Sequence, residues 1–360
     1  MSTGGTGGIG ELVLGGFSGT ALPPRYAKAL REGRRGGAIL FKPNVAGGPA
    51  QVAALARELH AACDGSPPFV SVDQEGGRVA RLRAPLLEVP PMRTVASWGD
   101  VALAERIARA AGAELAALGF NVDLAPVLDV DTRAGNPVIG DRAFSDAPDT
   151  CATFGAAWVR GLQGAGLLAC GKHFPGHGDT TKDSHVDLPV VEAPRERLDR
   201  VELAPFRAAV DAGVALLMTA HVVYPALDPE VPATLSPAVA TDLRRAVGFD
   251  GVLVSDDLEM RAIEARWEVG DAAVQAIAAG CDALLVCWSE DKQDRAVDAL
   301  EREAARSPAF RARCAEARAR MARTRGAIRV RPQGDAGIAA AIGGAESRAV
   351  ASEIARRLGT

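Results

Sequence analysis

The 360-residue sequence lacks several features that would each indicate a particular class of protein. Its six cysteines form no Cys-x-x-Cys pair, so we expect buried free thiols in a reducing cytoplasm. No apolar run reaches the roughly 18 residues of a membrane span. The formal net charge of −4 provides no basic surface for nucleic acid or for an anionic membrane. Neither partner is therefore expected.

The N-terminal residues 1–10 also lack a basic region and an apolar region, so they do not resemble a signal peptide. We interpret residues 1–8 as a flexible leader and predict a cytoplasmic, monomeric protein. The glycines at 4–8 precede the first predicted strand, which is the wrong context for a phosphate-binding loop. No cofactor is indicated.

What the sequence does contain is a repeating unit of apolar run, polar loop and amphipathic helix. The runs are continuous rather than alternating, which predicts parallel strands covered on both faces. Eight such units favour an α/β fold with a closed (β/α)₈ TIM-type barrel over a doubly wound sheet, which stays the alternative. We assign residues 9–306 to a single barrel domain and 307–360 to a C-terminal helical extension. The predicted strands are 11–16, 37–42, 68–73, 121–130, 167–173, 215–221, 251–256 and 283–288.

Titratable residues stand at the carboxyl ends of nearly all of these strands, where barrel enzymes place their active sites. Two pairs of residues have an alternative structural role. Asp256 or Asp257 could be the N-cap of the next helix, and Arg78 or Arg81, in the loop after the third strand, could form an ion pair with Glu75 or with a neighbouring loop. Together the strand-end residues indicate an enzyme more strongly than any one of them. They are Lys42, Asp73, Asp129, Asp131, Lys172, His173, His221, Asp256 and Asp257.

The densest group is the segment 170–187, which contains three of the five histidines, His173, His177 and His185. A metal site is disfavoured because the sequence has no His-x-His at a strand end and no His-Glu-x-x-His helix, and because lysines in the segment would repel a cation. We expect no metal.

Carbohydrate chemistry fits these residues better. Glycoside cleavage needs an acid for the leaving oxygen and, in retaining enzymes, a carboxylate nucleophile. Asp183 and His185 share a face of an extended segment, so Asp183 could orient His185 as the general acid/base. The alternative for this pair is a local hydrogen bond within the loop. Asp256 is the better candidate for the nucleophile because it stands at a rigid strand end.

Five blocks of sequence carry a resemblance to a known family. They are 72–79 (VDQEGGRV), 125–130 (APVLDV), 139–144 (IGDRAF), 172–180 (KHFPGHGDT) with 183–185 (DSH), and 255–258 (SDDL). In this order the blocks resemble those of the β-N-acetylhexosaminidases of glycoside hydrolase family 3, over roughly residues 10–300. The resemblance is to single-domain bacterial members that act in cell-wall recycling.

This resemblance implies a (β/α)₈ barrel and a retaining exo-β-N-acetylglucosaminidase that acts on peptidoglycan-derived muropeptides. It implies Asp256 as nucleophile and His185 as acid/base with Asp183 as its partner, on a loop that closes over substrate. The residues implied to hold N-acetylglucosamine are Asp73, Arg81, Arg142, Lys172 and His173.

Two-domain β-glucosidases of the same family carry their catalytic acid on a separate domain, and no such domain is evident in this sequence. The Asp-Ser-His triplet therefore favours the hexosaminidase branch. One rival is a β-N-acetylglucosaminide phosphorylase, because a histidine acid/base leaves no second carboxylate to repel phosphate. Another is a non-catalytic sugar-binding barrel. His177 has no assigned role.

Overall fold

The computed structural model describes residues 8–63, 66–180 and 188–359. Eight parallel strands close into a barrel in the order β1-β2-β3-β6-β7-β8-β9-β10, and β10 pairs again with β1. The predicted α/β class and TIM-type barrel are confirmed. The strands are β1 (Val13–Gly15), β2 (Gly37–Leu40), β3 (Phe69–Val72), β4 (Gln74–Gly76), β5 (Val79–Ala80), β6 (Val122–Asp123), β7 (Leu168–Phe174), β8 (Leu216–Thr219), β9 (Val252–Asp257) and β10 (Ala283–Val286).

Helices surround this barrel and continue beyond it. The π-helical turn Ala238–Leu243 runs directly into the short helix before β9. The α-helices are α1 (Pro24–Arg31), α2 (Pro49–Ala61), α3 (Met92–Ser97), α4 (Val101–Leu118), α5 (Pro148–Gly164), α6 (Arg195–Arg200), α7 (Ala204–Asp211), α8 (Arg244–Ala246), α9 (Arg261–Glu264), α10 (Val269–Ala279), α11 (Glu290–Arg306), α12 (Pro308–Gly326), α13 (Asp335–Ala341) and α14 (Ala345–Leu358).

The strands are buried on both faces, as continuous apolar runs predict. Every residue of β2, β7, β8 and β10 is buried. Helix α4 ends at Gly119, whose φ of +96° is the left-handed conformation that a helix C-cap needs. The chain then enters β6 directly, so the short turns hold each strand end at one face of the barrel.

The fourth barrel strand is much shorter than predicted. The sequence predicts 121–130, whereas β6 contains only Val122 and Asp123. Pro126 has no N–H and cannot continue the ladder. The chain nevertheless stays beside β7, because the Leu128 amide donates to the Lys172 carbonyl at 2.6 Å and the Lys172 amide to the Pro126 carbonyl at 3.1 Å. This irregular stretch carries Asp129 into the barrel.

A hairpin that the sequence analysis did not predict follows β3. Strands β4 and β5 pair antiparallel, and the turn between them uses Gly76 and Gly77, with φ of +104° and +53°. The Gln74 side chain fastens the hairpin, because its Oε1 accepts from the Arg81 amide at 2.9 Å. The hairpin holds Glu75 and Arg81 above the barrel mouth.

Helices α12–α14 pack on the outside of the barrel. The buried Glu114 of α4 ties them to it, accepting from the Ser347 hydroxyl and, at 3.2 Å, from the Gly343 amide. Its other oxygen accepts from the Leu87 amide at 2.6 Å. Across the described residues, no helix combines the length and apolarity that crossing a membrane requires.

Candidate active site

A cleft of about 730 Å³ opens at the carboxyl ends of the barrel strands. Its floor is the barrel interior and its walls are the loops after β2, β3, β6, β7, β9 and β10. The polar and aromatic residues that line it are Phe41, Lys42, Asp73, Glu75, Arg81, Arg142, Lys172, His173, His177, Asp256, Asp257, Glu259, Arg261, Glu264 and Trp288.

The Lys172 ammonium lies at the centre of a charge cluster on one side of the cleft. It lies 2.8 Å from Asp73 Oδ1 and 2.6 Å from Glu75 Oε1, with only 3% of its side chain exposed. Lys172 belongs to β7, and Asp73 follows β3, so the short β6 lies between the strands that carry this pair. Two carboxylates share one buried lysine, and further cations are needed to balance them.

Two arginines provide that balance. Arg142 makes a bidentate pair with Glu75, Nε to Oε2 and Nη2 to Oε1, both at 2.8 Å. Arg81 donates from Nη2 to Asp73 Oδ2 at 2.9 Å. Each carboxylate is therefore held by Lys172 on one side and by an arginine on the other.

These pairs keep the carboxylates ionised. Burial alone raises the pKa of Glu75, but Arg142 and Lys172 outweigh it and hold that pKa well below its usual value. For Asp73, Lys172 and Arg81 likewise outweigh burial and lower the pKa. Burial lowers the pKa of Lys172, yet the two carboxylates raise it overall. The cluster is charged at neutral pH, with its donors and acceptors fixed in place.

A second group places His173 on the cleft wall. Its Nδ1 lies 2.7 Å from Asp129 Oδ2, and Asp129 Oδ1 accepts from the backbone amides of His173 and His177 at 3.1 and 2.6 Å. Asp129 is fully buried behind the ring. The contact with the carboxylate requires a proton on Nδ1 and fixes the orientation of the ring.

His177 lies beside His173, with 5.7 Å between ring centroids. Burial, with a smaller contribution from His173, lowers the pKa of His177 to about 4. Its Nδ1 lies 2.9 Å from the Thr180 hydroxyl. A neutral, buried ring with these contacts positions the loop after β7.

Asp256 reaches the cleft from the end of β9 and is partly exposed to it. Burial acts to raise its pKa, but His221, His173, the Asp257 amide and Lys172 together lower it. The carboxylate is therefore ionised at neutral pH. Its Oδ1 accepts from the Asp257 amide at 2.8 Å, which fixes the side chain.

Comparison with known proteins agrees with this geometry. The family model described as "Glycosyl hydrolase family 3 N terminal domain" matches residues 16–323. The chain belongs to glycosyl hydrolase family 3. A relative from Thiobacillus denitrificans named "Beta-hexosaminidase" is 40% identical over 325 residues, which are 88% of this chain and 87% of the relative. One of the same name from Pseudomonas aeruginosa is 41% identical over 300 residues, covering 81% and 87%.

Solved structures of the family share the fold. A glycoside hydrolase family 3 β-N-acetylglucosaminidase from a Paenibacillus species matches with a TM-score of 0.89 and 40% identity, over 97% of this chain and 68% of that one. NagZ from Neisseria gonorrhoeae, solved with N-trifluoroacetyl-D-glucosamine, matches with a TM-score of 0.81 and 30% identity, over 96% and 97%. This protein is a glycoside hydrolase, so its substrates are carbohydrates.

The glycosyl hydrolase cleft brings together most of the site residues predicted from sequence. Asp256 and the five predicted sugar-binding residues all line it. Asp183 and His185 lie outside the described residues. Among those described, no group of three or more His, Cys, Asp or Glu side chains is placed to hold a metal ion.

Other polar strand-end residues have supporting roles. Asp131 pairs with Arg93 at 2.6 Å, outside the cleft. His221 contacts the Asp257 carbonyl through Nε2 at 2.9 Å and the Thr234 hydroxyl through Nδ1 at 2.8 Å. These contacts steady the end of β9, which carries Asp256.

The structure tests two of the structural alternatives. Neither arginine pairs with Glu75, but Arg78 does pair with a neighbouring loop, where it lies 3.5 Å from Asp141. Arg81 holds Asp73 instead. Neither Asp256 nor Asp257 caps α9. Asp257 Oδ1 instead accepts from the Glu259 and Cys287 amides at 3.0 and 3.1 Å, joining the loop after β9 to the end of β10.

The sequence analysis missed Glu75 and Trp288 as cleft residues. Glu75 was considered only as an ion-pair partner of an arginine, because it lies two positions beyond the predicted end of the strand. The hairpin that places Glu75 over the barrel mouth was not predicted. Trp288 was included in the last predicted strand. The only sequence feature that marked Trp288 was its position just after an apolar run.

Proposed function

We propose that the protein is a retaining exo-β-N-acetylglucosaminidase that releases terminal β-linked N-acetylglucosamine from muropeptides in the cytoplasm, as a monomer. The protein is a β-N-acetylhexosaminidase of family 3, in keeping with its relatives of that name. The finer proposal rests on one observation: the ionised Asp256 lines the same cleft as the Lys172 charge cluster.

Asp256 has the properties that a nucleophile needs. Its lowered pKa keeps it ionised, and the Asp257 amide holds it at a strand end. In the proposed first step, one carboxylate oxygen bonds to the anomeric carbon as the bond to the leaving oxygen breaks, which gives a covalent glycosyl-aspartate. Water then hydrolyses this intermediate, so the product keeps its β-configuration.

The Lys172 cluster is suited to hold the sugar before this step. Asp73 accepts hydrogen bonds from sugar hydroxyls, while Lys172, Arg81 and Arg142 donate to hydroxyl or acetamide oxygens. The pairs among them fix each group in the unliganded protein, so little reorganisation is needed when substrate binds. His173 contributes an imidazole ring that also lines the cleft.

The general acid/base in this proposal is His185, with Asp183 as the group that orients it. An acid/base with an ordinary pKa of about 6.5 protonates the leaving oxygen in the first step and takes a proton from water in the second. The described residues on either side are buried: Thr180 lies beside His177, which lines the cleft, and Leu188 packs with Val223.

Asp256→Ala tests the nucleophile. We expect turnover of an aryl β-N-acetylglucosaminide to fall about 10³-fold or more, because the covalent step is lost. Asp242→Ala is the control, since Asp242 lies on the surface with 71% of its side chain exposed. Retained turnover in Asp256→Ala would contradict the assignment. Mass spectrometry of a trapped intermediate should locate the sugar on Asp256.

A substrate panel tests the specificity and the acceptor. Aryl glycosides of N-acetylglucosamine, N-acetylgalactosamine and glucose are assayed with and without phosphate. Preference for the first glycoside, with free β-N-acetylglucosamine as the initial product in phosphate, would support the proposal. Formation of sugar 1-phosphate would identify a phosphorylase instead.

A further inference from the structure

The hairpin of β4 and β5 rests on a segment that follows it in the chain, residues 86–91. The Gly77 amide, in the turn of the hairpin, donates to the Val89 carbonyl at 2.8 Å. A Cβ atom on Gly77 would lie 2.9 Å from Pro91 Cα, which is closer than side chains pack. The turn therefore lies directly on the 86–91 segment, and the position of that segment sets the position of the hairpin.

The buried Glu114 of α4 holds this segment in place. Its Oε2 accepts from the Leu87 amide at 2.6 Å. Its Oε1 accepts from the Ser347 hydroxyl of α14 and, at 3.2 Å, from the Gly343 amide just before that helix. Among the described residues no cation pairs with Glu114, so hydrogen bonds hold its carboxyl group. One buried carboxyl group thus joins the 86–91 segment to the C-terminal extension, and losing one of its donors is costly.

Close packing does not replace this link along the whole of the segment. A groove of about 740 Å³ opens between the segment and α14. Leu87, Gly343 and Ser347, which are the three partners of Glu114, all line this groove. The segment and α14 therefore face each other across open space, and the carboxyl group of Glu114 bridges them.

The hairpin in turn places two members of the charge cluster that lines the catalytic cleft. Glu75 lies in β4, between Lys172 at 2.6 Å and Arg142 at 2.8 Å. Arg81 directly follows β5 and donates to Asp73 at 2.9 Å. Hydrogen bonds weaken steeply with distance and angle, so a small displacement of the hairpin would loosen these contacts. The geometry of the cluster therefore depends on the support beneath the hairpin.

We propose that Glu114 is a positioning residue for the sugar-binding cluster, and that it acts through residues 86–91 on the hairpin. The inference rests on the proposed function, since it takes the Lys172 cluster to hold N-acetylglucosamine. Glu114 does not line the cleft, so its effect on the sugar is indirect. Because the same carboxyl group binds Ser347, the C-terminal extension supports substrate binding as well as the fold.

Glu114→Gln tests the proposal, because it sets an amide NH₂ against a donor that Glu114 now accepts from. We expect KM for an aryl β-N-acetylglucosaminide and Ki for N-acetylglucosamine both to rise about tenfold, as the loss of one buried hydrogen bond implies. The kcat should change much less, since β9 holds Asp256 independently. Kinetics are measured at a temperature at which circular dichroism shows the variant folded. Glu105→Gln is the matched control on α4, at a carboxylate that pairs with Arg109 and Arg160 on the surface.

Ser347→Ala tests the part played by the C-terminal extension. It removes one of the three donors and leaves the bond to Leu87, so Ki should rise by a smaller factor, about threefold. Ser307→Ala, which removes the N-cap of α12, is the matched control. In both Glu114→Gln and Ser347→Ala, amide hydrogen exchange should become faster in residues 74–82 of the hairpin and stay unchanged in residues 252–257 of β9.

An unchanged Ki in folded Glu114→Gln would overturn the proposal, and so would faster exchange in the hairpin without a change in Ki. An equal rise of Ki in Ser307→Ala would also overturn it, because the effect would then follow from lower stability alone. If Glu114→Gln does not fold, Ser347→Ala decides by the same criteria. None of these results affects the proposed function, which fails only if wild-type protein neither binds N-acetylglucosamine nor cleaves its β-glycosides.

Discussion

The barrel has a buried charge cluster at each end, and the two differ in what they face. At the carboxyl end, Lys172 holds Asp73 and Glu75, and the cluster opens onto the cleft. At the amino end, Asp282 is fully buried just before β10 and is surrounded by arginines. Buried charge alone therefore does not distinguish a functional site from a structural one.

The amino-end cluster consists of Asp282 with Arg244, Arg313 and Arg320. The arginines lie 2.9, 2.5 and 3.3 Å from the carboxylate oxygens. Asp282 Oδ2 also accepts from the Leu253 amide at 3.1 Å, which joins β9 to β10. This carboxylate binds helices α8 and α12 to the strands, so its role is to stabilise the barrel.

The largest expected effect is at the carboxyl end. Lys172→Met should lower kcat/KM for an aryl β-N-acetylglucosaminide by about 10³-fold, equivalent to roughly 4 kcal/mol, because Asp73 and Glu75 lose their shared cation and the sugar loses a donor. Steady-state kinetics provides the measurement. Lys28→Met, which alters an exposed lysine of α1, is the control. An activity within threefold of wild type would mean that this cluster, too, is only structural.

Asp282→Asn should lower stability and leave activity unchanged. Its free energy of unfolding should fall by about 3 kcal/mol, because buried guanidinium groups lose the charge that balances them. Urea denaturation measures this loss. The kcat/KM of the folded variant should match that of wild type. A changed kcat/KM with normal stability would contradict the division of roles.

Asp257 sharpens the comparison because it is a buried carboxyl near the carboxyl-end cluster that pairs with no cation among the residues the structure describes. Burial, with the charges of Glu259 and Asp256, raises its pKa to about 7. Since the folded pKa is raised, its contribution to stability is complete at low pH and is lost as pH rises through about 7.

The free energy of unfolding should therefore fall by on the order of 2 kcal/mol between pH 5.5 and 8 through Asp257. Asp257→Asn keeps the acceptor for the Glu259 and Cys287 amides and should reduce this dependence. Thermal denaturation across the pH range measures it. The same slope in wild type and variant would assign the dependence to other groups.

The smallest effect is expected from the outer member of the amino-end cluster. Arg320→Gln should lower the free energy of unfolding by about 1 kcal/mol, because Arg244 and Arg313 remain on Asp282 and Arg320 is 19% exposed. Denaturation of this variant and of Asp282→Asn under the same conditions gives the measurement. A loss as large as that of Asp282→Asn would show that the three arginines act as one unit.

The sequence predicted the barrel and much of the cleft. Continuous apolar runs identified the strands, and the residues at their ends included Asp73, Lys172 and Asp256, which all line the cleft. The prediction failed where a proline or glycines interrupt the apolar pattern. Pro126 shortened β6, and the glycines of the hairpin moved Glu75 over the barrel mouth.

It also did not foresee the exposed Trp288. An apolar residue at the end of an apolar run is indistinguishable from a core residue until the end of the strand is known. Strand β10 ends at Val286, so the chain leaves the sheet and the ring turns out against Phe41. The roles of Asp183 and His185 stay predictions from the sequence.

The sequence by itself determined the class of fold, because strands buried on both faces require continuous apolar runs. It also determined which polar residues stand at the strand ends, because those residues come at the end of each apolar run. Only the tertiary structure decided which charges meet. Lys172 and Asp73 are 99 positions apart, on strands separated by β6, and barrel closure brings them to 2.8 Å. That closure also decided which of the two charge clusters faces the cleft.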